Sequence, residues 1–84
     1  MKPISDQIKR HILDKIVCCY LELKGDGQHF FLTIVSSEFE GKKLIYRHQI
    51  VYKALDELMK EEIHAISMKT LTPKEWKEIM EPHR

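Results

Sequence analysis

Cysteine is nearly absent from this chain, and the two present, Cys18 and Cys19, are adjacent. Neighbours in a strand point to opposite faces, so a bond between them would be strained. No third cysteine offers another pairing. A disulfide scaffold is therefore excluded, and a reducing compartment is the natural setting. Charge of one sign is also lacking. The 14 Lys and Arg nearly balance the 13 Asp and Glu, for a net charge of +1. No global field is available to hold nucleic acid, so any DNA binding depends on a local patch. No apolar run approaches the roughly 20 residues of a membrane span, and MKPISDQIKR lacks the apolar core of a signal peptide. The expectation is a soluble, cytoplasmic protein without a membrane partner.

Catalytic signatures are missing as well. There is no phosphate-cradling GxxxxGK loop and no GxGxxG. Cys18 and Cys19 fall in a strand pattern, away from the base a nucleophilic thiol needs. Glu61-Glu62 ends a helical pattern, where solvation accounts for the pair. Nothing reads as an active site, and the chain is not expected to be an enzyme.

What is present reads as one small domain, residues 1–84. The composition, 43% hydrophobic and 32% charged, is that of a globular chain, and this length does not support two cores. Ser5 is placed to cap a helix over about residues 5 to 16, in which Ile8, Ile12, Leu13, Ile16 and Val17 recur at helical spacing. CCYLELK, residues 18–24, alternates with Cys19, Leu21 and Leu23 on one face, as a half-buried strand does. Gly25-Asp26-Gly27 is a turn signal, and HFFLTIVS, residues 29–36, returns as the second strand of a hairpin. Ser36 and Ser37 then end the strand, Phe39 reads as a core plug, and Gly41 marks a special backbone conformation.

From Lys43 the pattern is helical again. Ile50, Ala54 and Leu58 form one apolar row, with Val51, Leu55 and Met59 beside it. A helical pair is expected here, with a bend near His48. IHAISMKT, residues 63–70, is a third strand. Thr72-Pro73-Lys74-Glu75 combines an N-cap threonine, proline at the first helical position and glutamate two positions later. The short final helix is expected to lay Trp76 on the core. The order is helix, strand, strand, helical pair, strand, helix. The fold class is α+β, with helices packed on a three-stranded mixed sheet. A strand that leaves through a helical crossover and returns beside itself is parallel to its start, with a right-handed connection.

Two features carry candidate chemistry. His29 begins the second strand and His64 begins the third, so a parallel return brings both to one edge of the sheet. Imidazole suits iron and zinc. Two histidines cannot enclose a metal alone, so a partner must supply the remaining ligands. The bland alternative is a hydrogen-bonded residue at a strand start. Alternation also places His64 with Ile66 and Met68 and sets His29 out of phase with Phe30, Leu32 and Ile34. The rings then point apart unless a bulge or the turn rotates one of them. The second feature is basic: Lys42, Lys43, Arg47, His48 and Lys53 crowd the start of the helical pair. Two helices with a bend there suggest a helix-turn-helix DNA surface, and a solvated helix face is the alternative.

Residues 29–76 resemble the BolA family, and most of all its IbaG-type bacterial branch. The resemblance is carried by His29-Phe30, Ser36, Phe39-Glu40-Gly41, Arg47-His48, Val51-Tyr52, Ile63-His64-Ala65, Thr72-Pro73 and Glu75-Trp76. It implies the αββααβ topology of type II KH domains with an added C-terminal helix. It further implies a non-enzymatic partner of monothiol CGFS glutaredoxins, with a [2Fe–2S] cluster shared between the two proteins in iron–sulfur trafficking and the iron and stress response. The histidine of the family's Ile-His-Ala motif falls on His64. The second family ligand lies in the hairpin loop, where this chain offers Asp26 and then His29 and no cysteine. Histidine ligation of such a cluster has precedent in Rieske centres. No cluster is expected in the isolated chain, which is expected as a monomer or weak homodimer. The family is also associated with transcriptional regulation of stress and morphology genes, for which Lys42, Lys43, Arg47, His48 and Lys53 would form the DNA surface. A KH domain grips RNA through a GXXG loop, and Phe39-Glu40-Gly41-Lys42-Lys43 contains none.

Overall fold

Alternating apolar residues build a three-stranded sheet, and the helical stripes cover one of its faces. The computed structural model describes residues 4–25, 29–61 and 65–81. In chain order these form α1 (Ile4–Lys15), β1 (Tyr20–Gly25), β2 (His29–Val35), a 3-10 turn (Ser37–Phe39), α2 (Leu44–Leu55), α3 (Glu57–Glu61), β3 (Ala65–Leu71) and α4 (Pro73–Met80). The sheet order is β1-β2-β3. β1 pairs antiparallel with β2, Leu23 opposite Leu32. β3 lies parallel to β2, with His29 opposite Ala65 and Val35 opposite Leu71. The mixed α+β sheet and its parallel return match the expected architecture.

The core forms where the alternate side chains Phe30, Leu32 and Ile34 of β2 meet Ile8, Ile12 and Ile16 from α1 and its end, and Val51, Ala54 and Leu55 from α2. Phe39 is fully buried in the same cluster. Full burial of such side chains contributes about 1.5–3 kcal/mol each, which makes this seam the main source of cohesion. Beneath it, a polar latch fixes the chain entering β1. The Ser36 hydroxyl donates to the Val17 carbonyl at 2.6 Å and accepts from the Glu38 backbone at 3.0 Å. The Glu38 carboxylate accepts from the Val17 N–H at 2.6 Å.

Several local expectations are corrected. The strand starts at Tyr20, so alternation does not reach back to Cys19, which is exposed, and Cys18 instead rests against the core. α1 is already helical at Ile4, so Ser5 lies inside it. The helical region does not bend near His48: α2 runs unbroken from Leu44 to Leu55, and the break falls at Asp56, whose φ is 45°. The final helix has the expected capping box at Thr72 and Glu75, but none of its residues is buried. Trp76 does not enter the core. It stacks on Tyr20, with ring centroids 4.7 Å apart. Tyr20 alternates with the core-side Leu21 and Leu23, so α4 lies against the opposite face of the sheet. No helix among the described residues is long and apolar enough to cross a membrane.

Candidate functional site

The first candidate region is the edge where β2 and β3 begin. Core packing of Phe30, Leu32 and Ile34 turns their alternates, His29, Phe31 and Thr33, to the other face. His29 is exposed, and its ring stacks on Phe31 at a centroid distance of 4.5 Å. Its Nε2 lies 2.9 Å from the Ser67 hydroxyl of β3. Strand pairing and side-chain contact thus hold the imidazole flat along the outer surface. The sequence reading missed Phe31 and Ser67; the period-two pattern of HFFLTIV was the signal that put Phe31 on His29's face.

The register sets Ala65 opposite His29. Ala65 is the residue that follows His64, so the parallel return brings the start of the third strand to the His29 edge. His64 itself and Asp26, the other loop candidate, lie outside the described residues. Ile66 and Met68 pack against the core, as expected for their phase, opposite to that of His29. Among the described residues, no group of three or more His, Cys, Asp or Glu side chains is placed to hold a metal ion. The donor chemistry that is present, an exposed imidazole, fits an iron centre whose other ligands come from another molecule.

The two cysteines offer less. Burial pushes the Cys18 thiol above its ordinary value, and the charges of Glu38 and Cys19 act in the same direction. Its sulfur donates to the Ile16 carbonyl at 3.4 Å. A protonated thiol is a poor nucleophile and a poor ligand.

The second candidate region is the basic one, and the structure divides it. Arg47 is only 9% exposed. Its Nε donates to the Lys42 carbonyl at 2.8 Å, and Nη1 donates both to the Thr70 carbonyl at 3.0 Å and to Glu75 Oε1 at 2.7 Å. Its Nε and Nη1 donors face inward, joining α2 to the preceding loop, β3 and α4, so it does not belong to an open cationic surface. Glu75 in turn accepts the Thr72 N–H at 2.8 Å. The Arg47 hydrogen bond, followed by that of Thr72, holds the Glu75 carboxyl below the ordinary carboxylate range.

Lys42, Lys43 and Lys53 are exposed, and His48 is half-buried. Lys42 Nζ donates to the Glu38 carbonyl at 3.0 Å, while Lys43 is the N-cap of α2 without a side-chain cap bond. Lys53 sits ten residues beyond Lys43, about 15 Å along the helix axis. The arrangement is not a helix-turn-helix. All of these residues lie on or just before one continuous helix, and the helix that follows spans only Glu57–Glu61 after a single linking residue.

A family model described as BolA-like protein matches residues 4–75. The chain is 42% identical over 78 residues to Protein BOLA2 of Arabidopsis thaliana, spanning 87% of this chain and 83% of that protein. It is 39% identical over 54 residues to the DNA-binding transcriptional regulator BolA of Haemophilus influenzae, spanning 64% of this chain and 52% of the relative. In three dimensions it resembles the solution structure of BolA1 from Mus musculus, with a TM-score of 0.84 and 28% identity over 98% of this chain and 75% of that one. The match over residues 4–75, together with the mixed sheet and its parallel return, establishes that the chain belongs to the BolA-like protein family.

Proposed function

We propose that this protein is a non-enzymatic partner of a monothiol CGFS glutaredoxin, to which it lends a histidine ligand for a shared [2Fe–2S] cluster in iron–sulfur trafficking and the iron and stress response. His64 is the lead ligand and His29 the second candidate. The observation that supports this reading most directly is the pairing of His29 with Ala65 across the parallel strands. It brings the start of β3, next in sequence to His64, to the edge that carries an exposed imidazole. The cluster, when bound, supplies iron and sulfide that can be passed on, together with one-electron redox chemistry. The chain's own part is to present a ring from a rigid sheet edge. Stacking on Phe31 and the contact with Ser67 restrict the His29 ring, which lowers the entropy lost on ligation.

The test is anaerobic mixing with a CGFS glutaredoxin loaded with cluster, followed by visible absorption and circular dichroism. A spectrum distinct from that of the glutaredoxin alone is expected, and His64→Ala should abolish the difference. A His64→Ala variant with unchanged spectrum and affinity would remove the central claim. His29→Ala decides whether the second imidazole takes part.

A second reading is regulation of stress and morphology genes through DNA binding, and the name of the Haemophilus relative supports its DNA-binding, transcriptional part. Its surface on this chain would be Lys42, Lys43 and Lys53 with His48, without Arg47. Such binding should weaken steeply with salt and with charge reversal at these lysines. Retained binding in the charge-reversed variants excludes that surface.

A further inference from the structure

One face of α2 is a groove rather than a solvated ridge. Lys42, Tyr46, Gln49, Ile50 and Lys53 line a depression of about 340 Å³. Ile50 and Lys53 also line a larger one of about 460 Å³, together with Lys15 and Ile16 at the end of α1 and with Ala54 and Asp56. Ile50 and Lys53 belong to both, so the two adjoin as one shallow channel. Positions 46, 49, 50, 53 and 54 recur every three to four residues, which puts them along a single side of α2, with Lys42 just ahead of it. Along α2 the lining runs from Tyr46 to Ala54, about 12 Å, and Lys42 extends it ahead of the helix.

Its chemistry is divided by position. Ile16, Ile50 and Ala54, with the ring of Tyr46, which is 54% exposed, give an apolar floor. Lys15, Lys42 and Lys53 stand along the rim, against one carboxylate, Asp56, at the end. A surface built only to follow phosphates does not need the apolar floor, whereas a helix docked in a groove needs both an apolar anchor and flanks of matching charge.

We propose that this channel is a docking site for an amphipathic α-helix of another protein, about three turns long. The helix would place aliphatic side chains over Ile50 and Ala54, and its Glu or Asp flanks would meet Lys15, Lys42 and Lys53. The site lies on α2 and the end of α1, and the inference does not rest on the cluster reading.

The probe is a synthetic 14-residue amphipathic peptide with leucines on one face and glutamates on both flanks. It is titrated into the metal-free 84-residue chain while backbone amide resonances are followed. Shifts centred on Tyr46, Ile50, Lys53 and Ala54 are expected, with saturation in the micromolar range. Lys53→Glu and Tyr46→Ala, both exposed positions that should leave the melting temperature unchanged, are each expected to weaken binding at least tenfold. A scrambled peptide of the same composition is expected not to saturate. The proposal is overturned if the scrambled peptide binds equally, if the shifts map to the sheet face, if both variants bind normally, or if only duplex DNA perturbs these amides.

Discussion

Arg47 and Glu75 meet at 2.7 Å across the end of β3, and the same Arg47 nitrogen also holds the Thr70 carbonyl. One guanidinium therefore ties together α2, the last strand and the capping box of α4. The ion pair itself is unequal, since the Glu75 side chain is 43% exposed and that of Arg47 only 11%. Its value lies less in Coulomb attraction than in satisfying backbone carbonyls that are shielded from water.

Replacing Arg47 with alanine leaves the Thr70 and Lys42 carbonyls and the Glu75 carboxylate short of a partner. A loss of about 2–4 kcal/mol in unfolding free energy is expected, measured by denaturant unfolding. Loss of the Tyr20–Trp76 stack should accompany it, visible in tryptophan fluorescence, because α4 is anchored through Glu75. Stability within experimental error of the parent would show that the tie is incidental.

The pH dependence follows from Glu75. Its folded-state pKa is lowered from the ordinary 4.5, so the native state favours the carboxylate. The associated stability is fully present above the unfolded value and is lost as pH falls through the folded one. Comparing the parent with Glu75→Gln between neutral pH and the acid limb should show a difference that shrinks as the medium becomes acidic. A difference independent of pH would contradict the assignment.

Thr70 offers the opposite case. It is 2% exposed, and its hydroxyl has no hydrogen-bond partner among the described residues. Thr70→Val replaces an unsatisfied buried hydroxyl by a methyl group of similar size. A gain of about 1 kcal/mol is expected, because the desolvation cost of the hydroxyl disappears. A destabilised Thr70→Val variant would mean that the hydroxyl is partnered in solution.

Backbone strain gives two predictions of opposite sign. Asp56 adopts φ 45° and ψ −117°, a combination that favours glycine, as it breaks the helical region. Asp56→Gly should therefore raise stability by about 1 kcal/mol, read as a higher melting temperature. Gly25 has φ 143°, and a Cβ there would run into the carbonyl oxygen of His29 and stand 2.9 Å from the Phe30 Cα. Gly25→Ala should cost about 1–3 kcal/mol and disturb the amide resonances of His29 and Phe30. Tolerance at Gly25 would show that the hairpin end can yield.

Residue patterns alone identified most of the architecture because α1, α2 and the strands each turn one face to the core. The two-residue period of HFFLTIV and the three-to-four residue period of Ile50, Val51, Ala54 and Leu55 reflect water's exclusion from those faces. The Thr72–Glu75 cap is equally local, since donors and acceptors three residues apart close on themselves. The helix break was misplaced for a related reason. His48 lies where the polar pattern thickens, but the interruption at Asp56 comes from a backbone angle that aspartate rarely adopts.

By itself the sequence determined the α+β order, the parallel return of the third strand, the buried Phe39 and the capped final helix, because these follow from periodicity and short-range hydrogen bonding. Only the tertiary structure decided that Arg47 faces inward to carbonyls and Glu75, that Trp76 lies over Tyr20 on the far side of the sheet, and that His29 rests on Phe31 and Ser67. The Arg47–Glu75 pair, the His29–Ser67 contact and the Tyr20–Trp76 stack join residues 28, 38 and 56 positions apart in the chain. A charge or a ring in a sequence does not state whether water or a distant strand will face it.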